Sequence, residues 1–145
     1  MDKLYVFCDN PRKELRLLAV GLVSIYCMEM ENYLDNYPDI SIHFLAWSEG
    51  RTDEIGEAYE YSGPKKEEFY QIIDKMNAKF KRDNFIEYAI NYWQKRKADF
   101  INLIPDNEYK IFQLKKPNKN EINAILTPEN CREIMNSLII NIVEE

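Results

Sequence analysis

Apolar positions along the chain change their period several times, and each change predicts an element. Leu4-Tyr5-Val6-Phe7-Cys8 is a short run of strand-forming residues, closed by Asp9-Asn10-Pro11. Asn10 is suited to an N-cap and Pro11 to the first turn of a helix, with Glu14 near its positive end. The helix that follows is expected to run to about Asn36, before Pro38. Leu15, Leu18, Leu22, Ile25, Tyr26 and Met30 recur on one face, while Leu17, Val20 and Val23 widen it. A helix apolar around most of its circumference belongs at the centre of a fold.

The period then shortens. Ile40 to Trp47 alternates Ile40, Ile42 and Phe44 against Ser41 and His43, a strand pattern. An acidic loop is expected over Ser48 to Gly56, and a further strand over Glu57 to Tyr61, the two strands forming a hairpin with a long connection. Gly63-Pro64 predicts a second helix start, followed by Phe69, Ile72, Ile73, Met76 and Phe80 at helical spacing. Asn84 and Glu87 have the spacing of a capping box, opening a helix that ends before Pro105. Glu108 to Leu114 reads as a strand and Lys115 to Lys119 as a loop. Asn118 and Glu121 repeat the capping box for a short helix through Leu126. Thr127-Pro128-Glu129 starts the last helix, with Cys131, Ile134, Met135, Leu138 and Ile142 on one face.

Strands and helices do not alternate strictly, which favours an α+β arrangement over a doubly wound parallel sheet. The expected fold is a single helix-rich domain over residues 1–145. Its small sheet of three or four strands, largely antiparallel or mixed, packs against helices. At 145 residues, 46% apolar and 30% charged, the chain is long enough to bury a core without disulfides. Cys8, Cys27 and Cys131 are odd in number and widely spaced, which predicts reduced thiols and a cytoplasmic protein. Leu17 to Met28 is the longest nearly apolar run at twelve residues, too short for a membrane span.

Charge adds one feature that periodicity does not contain. Nine of the 25 acidic residues lie between Glu29 and Glu60, answered only by Arg51. Trp47, Tyr59 and Tyr61 border Glu49, Asp53, Glu54, Glu57 and Glu60. Aromatic anchors ringed by charge suit a protein-binding face, and the sign selects a basic protein partner. Direct nucleic-acid binding is disfavoured: the chain is net −6, and the basic clusters between Lys65 and Lys97 fall on amphipathic helices.

Catalytic and metal-binding patterns are sparse. His43 is the single histidine, and no phosphate-binding glycine loop occurs. Zinc-ligand spacings are missing, and Asp53, Glu54 and Glu57 lack the alternation of an EF-hand, so neither cofactor nor metal is expected. One enzyme reading remains, a small α/β catalyst with Cys8, Asp9 and Arg12 gathered at a helix N-terminus. An accessory oligomer is a third reading, since Leu138 to Val143 holds more apolar residues than one helix face needs and could pack on a second copy. In size and charge the chain is similar to small bacterial immunity proteins, without a shared residue signature. That likeness implies a non-enzymatic inhibitor occluding a basic toxin, such as a nuclease.

Overall fold

A computed structural model describes residues 2–9, 12–45, 54–80, 87, 91, 115–116 and 118–144. Among these residues, four strands form one antiparallel sheet in the order β2-β3-β1-β4, with β1 at Asp2–Asp9, β2 at Ser41–Leu45, β3 at Glu54–Ser62 and β4 at Leu138–Val143. A 3-10 turn, Lys13–Leu15, leads into α1, Arg16–Leu34. Helix α2 is Lys66–Phe80, α3 is Lys119–Ile125 and α4 is Pro128–Asn136. The domain is thus α+β, as the mixed element order predicts.

Strand alternation divides the sheet into two faces. Leu4, Val6 and Cys8 are fully buried, and their register partners Tyr59, Glu57 and Ile55 share their face. On β4 the same face carries Leu138, Ile140 and Ile142. Helix α1 packs here against β3 and β1, with α2 and α4 beside it. Every residue from Leu17 to Val23 is buried, as befits an apolar helix enclosed on most sides. The 22-residue stretch Lys13–Leu34 passes a length and hydropathy test for a membrane span, yet 67% of its most apolar window is buried in this fold. Here it forms the core helix.

Side chains tie the layers together. The Tyr26 hydroxyl donates to Asn77 Oδ1 at 3.0 Å, joining α1 to α2. The Cys8 thiol points at the Ile134 carbonyl, 3.7 Å away, joining β1 to α4. Arg12 pairs with Glu133 at 2.9 Å and Glu14 at 3.5 Å, fixing the end of the β1–α1 connection onto α4.

Local helix signals fare unevenly. The Glu121 N–H donates to Asn118 Oδ1 at 2.9 Å and the Asn118 N–H to Glu121 Oε1 at 3.4 Å, a reciprocal capping box. Thr127 Oγ1 accepts from the Asn130 N–H, with Pro128 in the first turn. The two earlier starts lie later than the prolines predict. Helical structure begins at Lys13 with Arg12 as an extended N-cap, while Asn10 and Pro11 lie outside the described residues. Helix α2 begins at Lys66, and the Pro64 carbonyl instead accepts from the Tyr61 hydroxyl at 2.7 Å.

Two expectations are corrected. Glu54-Ile55-Gly56 is strand, not loop, because β1 pairs along its whole length, with Cys8 opposite Ile55 and Asp9 opposite Glu54. Leu138–Val143 is strand, not the end of a helix, so no C-terminal helix face is available for self-association there. Helix α4 stops at Asn136, after which β-branched residues pair with β1. The apolar excess of this segment has a plain cause: one set of alternate residues faces the helix layer, and the other leaves Ile139 and Val143 exposed. The expected helix from Asn84 and the strand Glu108 to Leu114 lie essentially outside the described residues.

Candidate functional site

The face expected from sequence is only partly describable, and it does not gather as expected. Trp47, Glu49 and Asp53 lie outside the described residues. Glu54 opens β3 opposite Asp9. Tyr59 and Tyr61 are 1% and 4% exposed, and Tyr61 packs edge-on against Phe69 at 5.1 Å. They are core residues and cannot supply open contact area. Glu60 is opposite Lys3 and His43 in the sheet register, on the face away from the described helices, while Glu57 shares the helix-side face with Tyr59. Strand geometry itself separates Glu57 from Glu60.

A different group assembles between α1 and the β2–β3 side of the sheet. Glu57 occupies a helix-side position that neighbouring strand residues fill with apolar groups. One of its oxygens accepts from the Ser24 hydroxyl of α1 at 3.3 Å, and the other accepts a short hydrogen bond from Tyr59. Glu31, two turns further along α1, is close enough to interact with Glu57. Its carboxyl is raised above its ordinary value by loss of water, then by the charges of Glu57 and Asp35, with the Tyr59 hydroxyl acting in the opposite sense. The phenol donates its single proton to Glu57. Burial raises the Tyr59 phenol strongly and the Cys27 thiol beneath it, keeping both neutral.

Aromatic surface borders these acids. Phe44 of β2 is 60% exposed and stands edge-on to Tyr59 at 5.7 Å. On α1, Met28 follows Cys27 and is 51% exposed. Between residues 29 and 45 the chain has no Lys or Arg. Lys79 reaches α1 only over the Tyr33 ring, which lies on roughly the opposite side of the helix from Glu31 and Asp35. The arrangement can receive a cationic, partly apolar side chain: carboxylates supply charge, and Phe44 supplies a ring face.

Ser24, Met28, Glu31 and Phe44 were not among the sequence candidates. A glutamate inside the alternating series Ile55, Glu57, Tyr59 and Tyr61 is the signal that could have revealed the group. A charge in an apolar column needs partners from the facing layer.

The geometry also bears on catalysis. Cys8 is fully buried, its thiol raised by burial to about 12, and Cys131 is raised to about 11 for the same reason. Such thiols are poor nucleophiles at neutral pH. His43 sits on the outward face of the sheet and Cys8 on the inward one, so His43 cannot act as its base. Native protein at pH 8 should therefore resist iodoacetamide at Cys8, with alkylation appearing only on unfolding. Mass spectrometry of native and urea-treated samples checks this, and rapid native labelling would revive the thiol enzyme. Among the described residues, no group of three or more His, Cys, Asp or Glu side chains is placed to hold a metal ion.

Among the described residues, these features define an α+β arrangement with helices on one sheet face and an acid-and-aromatic cluster beside the outermost strand β2. No family model, curated protein or solved structure matches the chain.

Proposed function

We propose that the chain is a non-enzymatic, protein-binding inhibitor acting in the cytoplasm on a basic partner, in the manner of a bacterial immunity protein blocking a toxin's cationic cleft. The supporting observation is Glu57, held on the helix side by Ser24 and Tyr59 beside exposed Phe44, with Glu31 near enough for its carboxyl to be raised by the Glu57 charge and no described cation against either acid. Placing two carboxylates together in a partly dehydrated site disfavours the folded state. A partner's Lys or Arg would relieve that repulsion, and opposed potentials would also speed encounter. Carboxylates would stand where the partner otherwise holds phosphate, and the Phe44 ring would cover the stem of the inserted cation.

The test separates stability from binding. A carboxyl with a raised folded-state pKa weakens the fold above that value and not below the unfolded value. Because Glu31 is exposed and solvent screens its charge, Glu31→Gln should raise Tm only slightly at pH 7, with the gain vanishing at about pH 4. The same substitution should weaken retention of the partner, captured from source cells on immobilised protein, and shift its elution to lower salt. Unchanged retention by Glu31→Gln would sink the electrostatic reading.

A further inference from the structure

We propose that the outer edge of β2 is the docking line itself, taking an extended basic segment of the partner as an added strand. This rests on the reading of a basic partner given above and adds the mode of recognition. The sheet has two edges, and they are not alike. On β4, the Ile142 N–H is met by the Tyr70 hydroxyl of α2 at 3.2 Å, so a side chain occupies that edge. On β2, every backbone pairing among the described residues is with β3. Antiparallel geometry turns alternate N–H and C=O groups of such a strand outward, a template for another chain.

The side chains along this edge suit an incoming segment. Ser41, His43 and Phe44 are exposed, and Ile42 and Leu45 are half-buried. The approach to the edge is acidic: Asp35 and Asp39 are exposed just before the strand, Glu57 shares the helix-side face two residues from Tyr59, the partner of Phe44, and Glu31 is within electrostatic reach of Glu57. A second copy of the chain would bring the same negative charges against themselves. A segment alternating basic and apolar residues would place its cations on the helix side, over Phe44 and towards Glu31 and Glu57. Main-chain bonds would give affinity, and these side-chain positions would give selectivity.

Synthetic ten-residue probes of three kinds, four peptides in all, test the proposal by calorimetry and by amide exchange at residues 41–45. The first alternates Arg and Val, the second is the same peptide N-methylated at alternate amides, made in both alternate sets, and the third replaces Arg by Glu. The Arg peptide should bind and slow exchange in β2, and one N-methylated set should weaken binding by about tenfold or more. The Glu peptide should not bind. Phe44→Lys, at an exposed position that leaves the fold intact by circular dichroism, should abolish binding. Equal binding by both N-methylated sets would overturn the added strand while leaving charge recognition standing. Equal binding by the Arg and Glu peptides would overturn charge recognition, and no binding by any probe would overturn both. A dimer of the free protein that Phe44→Lys dissolves would overturn the assignment by seating a second copy at this edge.

Discussion

Phe69→Ala is expected to destabilise the protein by about 3–5 kcal/mol, lowering Tm by roughly 10 °C. Phe69 is fully buried, with its ring edge-on to Tyr61 and tilted against Tyr70 at 6.2 Å. Through these two neighbours it fastens α2 to both sides of the sheet: Tyr61 belongs to β3, and Tyr70 accepts from the β4 backbone. Truncation removes the transfer energy of the ring and leaves a cavity between elements too firmly held to collapse. A domain of this size has about 5–15 kcal/mol of total stability, so the variant would sit near the limit of folding. Phe44→Ala is the informative contrast, expected to change stability by no more than about 0.5 kcal/mol because Phe44 is largely exposed. Chemical denaturation with both variants measures the difference. Similar losses for the two would mean that α2 does not close the core.

Gly56→Ala should be nearly as severe, for the opposite physical reason. A Cβ at position 56 would lie 2.3 Å from the Val6 carbonyl oxygen, 2.4 Å from Phe7 Cβ and 2.6 Å from Phe7 Cα. These are largely backbone atoms of the adjacent central strand, paired in register opposite Gly56, so rotation of a side chain cannot relieve the clash. The strands must separate or shift, with loss of about 2–3 kcal/mol. A shift of register would also turn Glu57 away from Ser24 and reverse every side chain of β3. Thermal melts give the stability change. If Gly56→Ala melted like the parent, the close approach of β1 and β3 would be wrong.

What could be read from the sequence was what neighbouring residues determine among themselves. The capping box at Asn118–Glu121 and the Thr127-Pro128 start depend on side chains three residues apart, and they appear in the structure as expected. The apolar circumference of α1 likewise foretold its central position. Properties set by distant partners were not legible. Leu138 and Ile142 continue the spacing of Cys131, Ile134 and Met135, so helical periodicity alone extends α4 too far; pairing with β1 decides otherwise. Gly56 in an acidic segment suggests a turn, whereas its requirement comes from the approach of Val6 and Phe7. Tyr59 and Tyr61 looked like surface anchors because nothing local reports which face of the sheet receives the helices. The acidic character of the region was visible and Glu57 was among its candidates, but Glu31 was not singled out. Glu31 comes within electrostatic reach of Glu57 only because α1 packs on β3.

The pairing of β1 with β4 reaches into biosynthesis. Residues 3–8 are translated well before their partners at 138–143. During that interval β1 can zip to β3 but keeps its other flank bare, a sticky surface that chaperones would need to shield. Contacts so remote in sequence also make final closure slow.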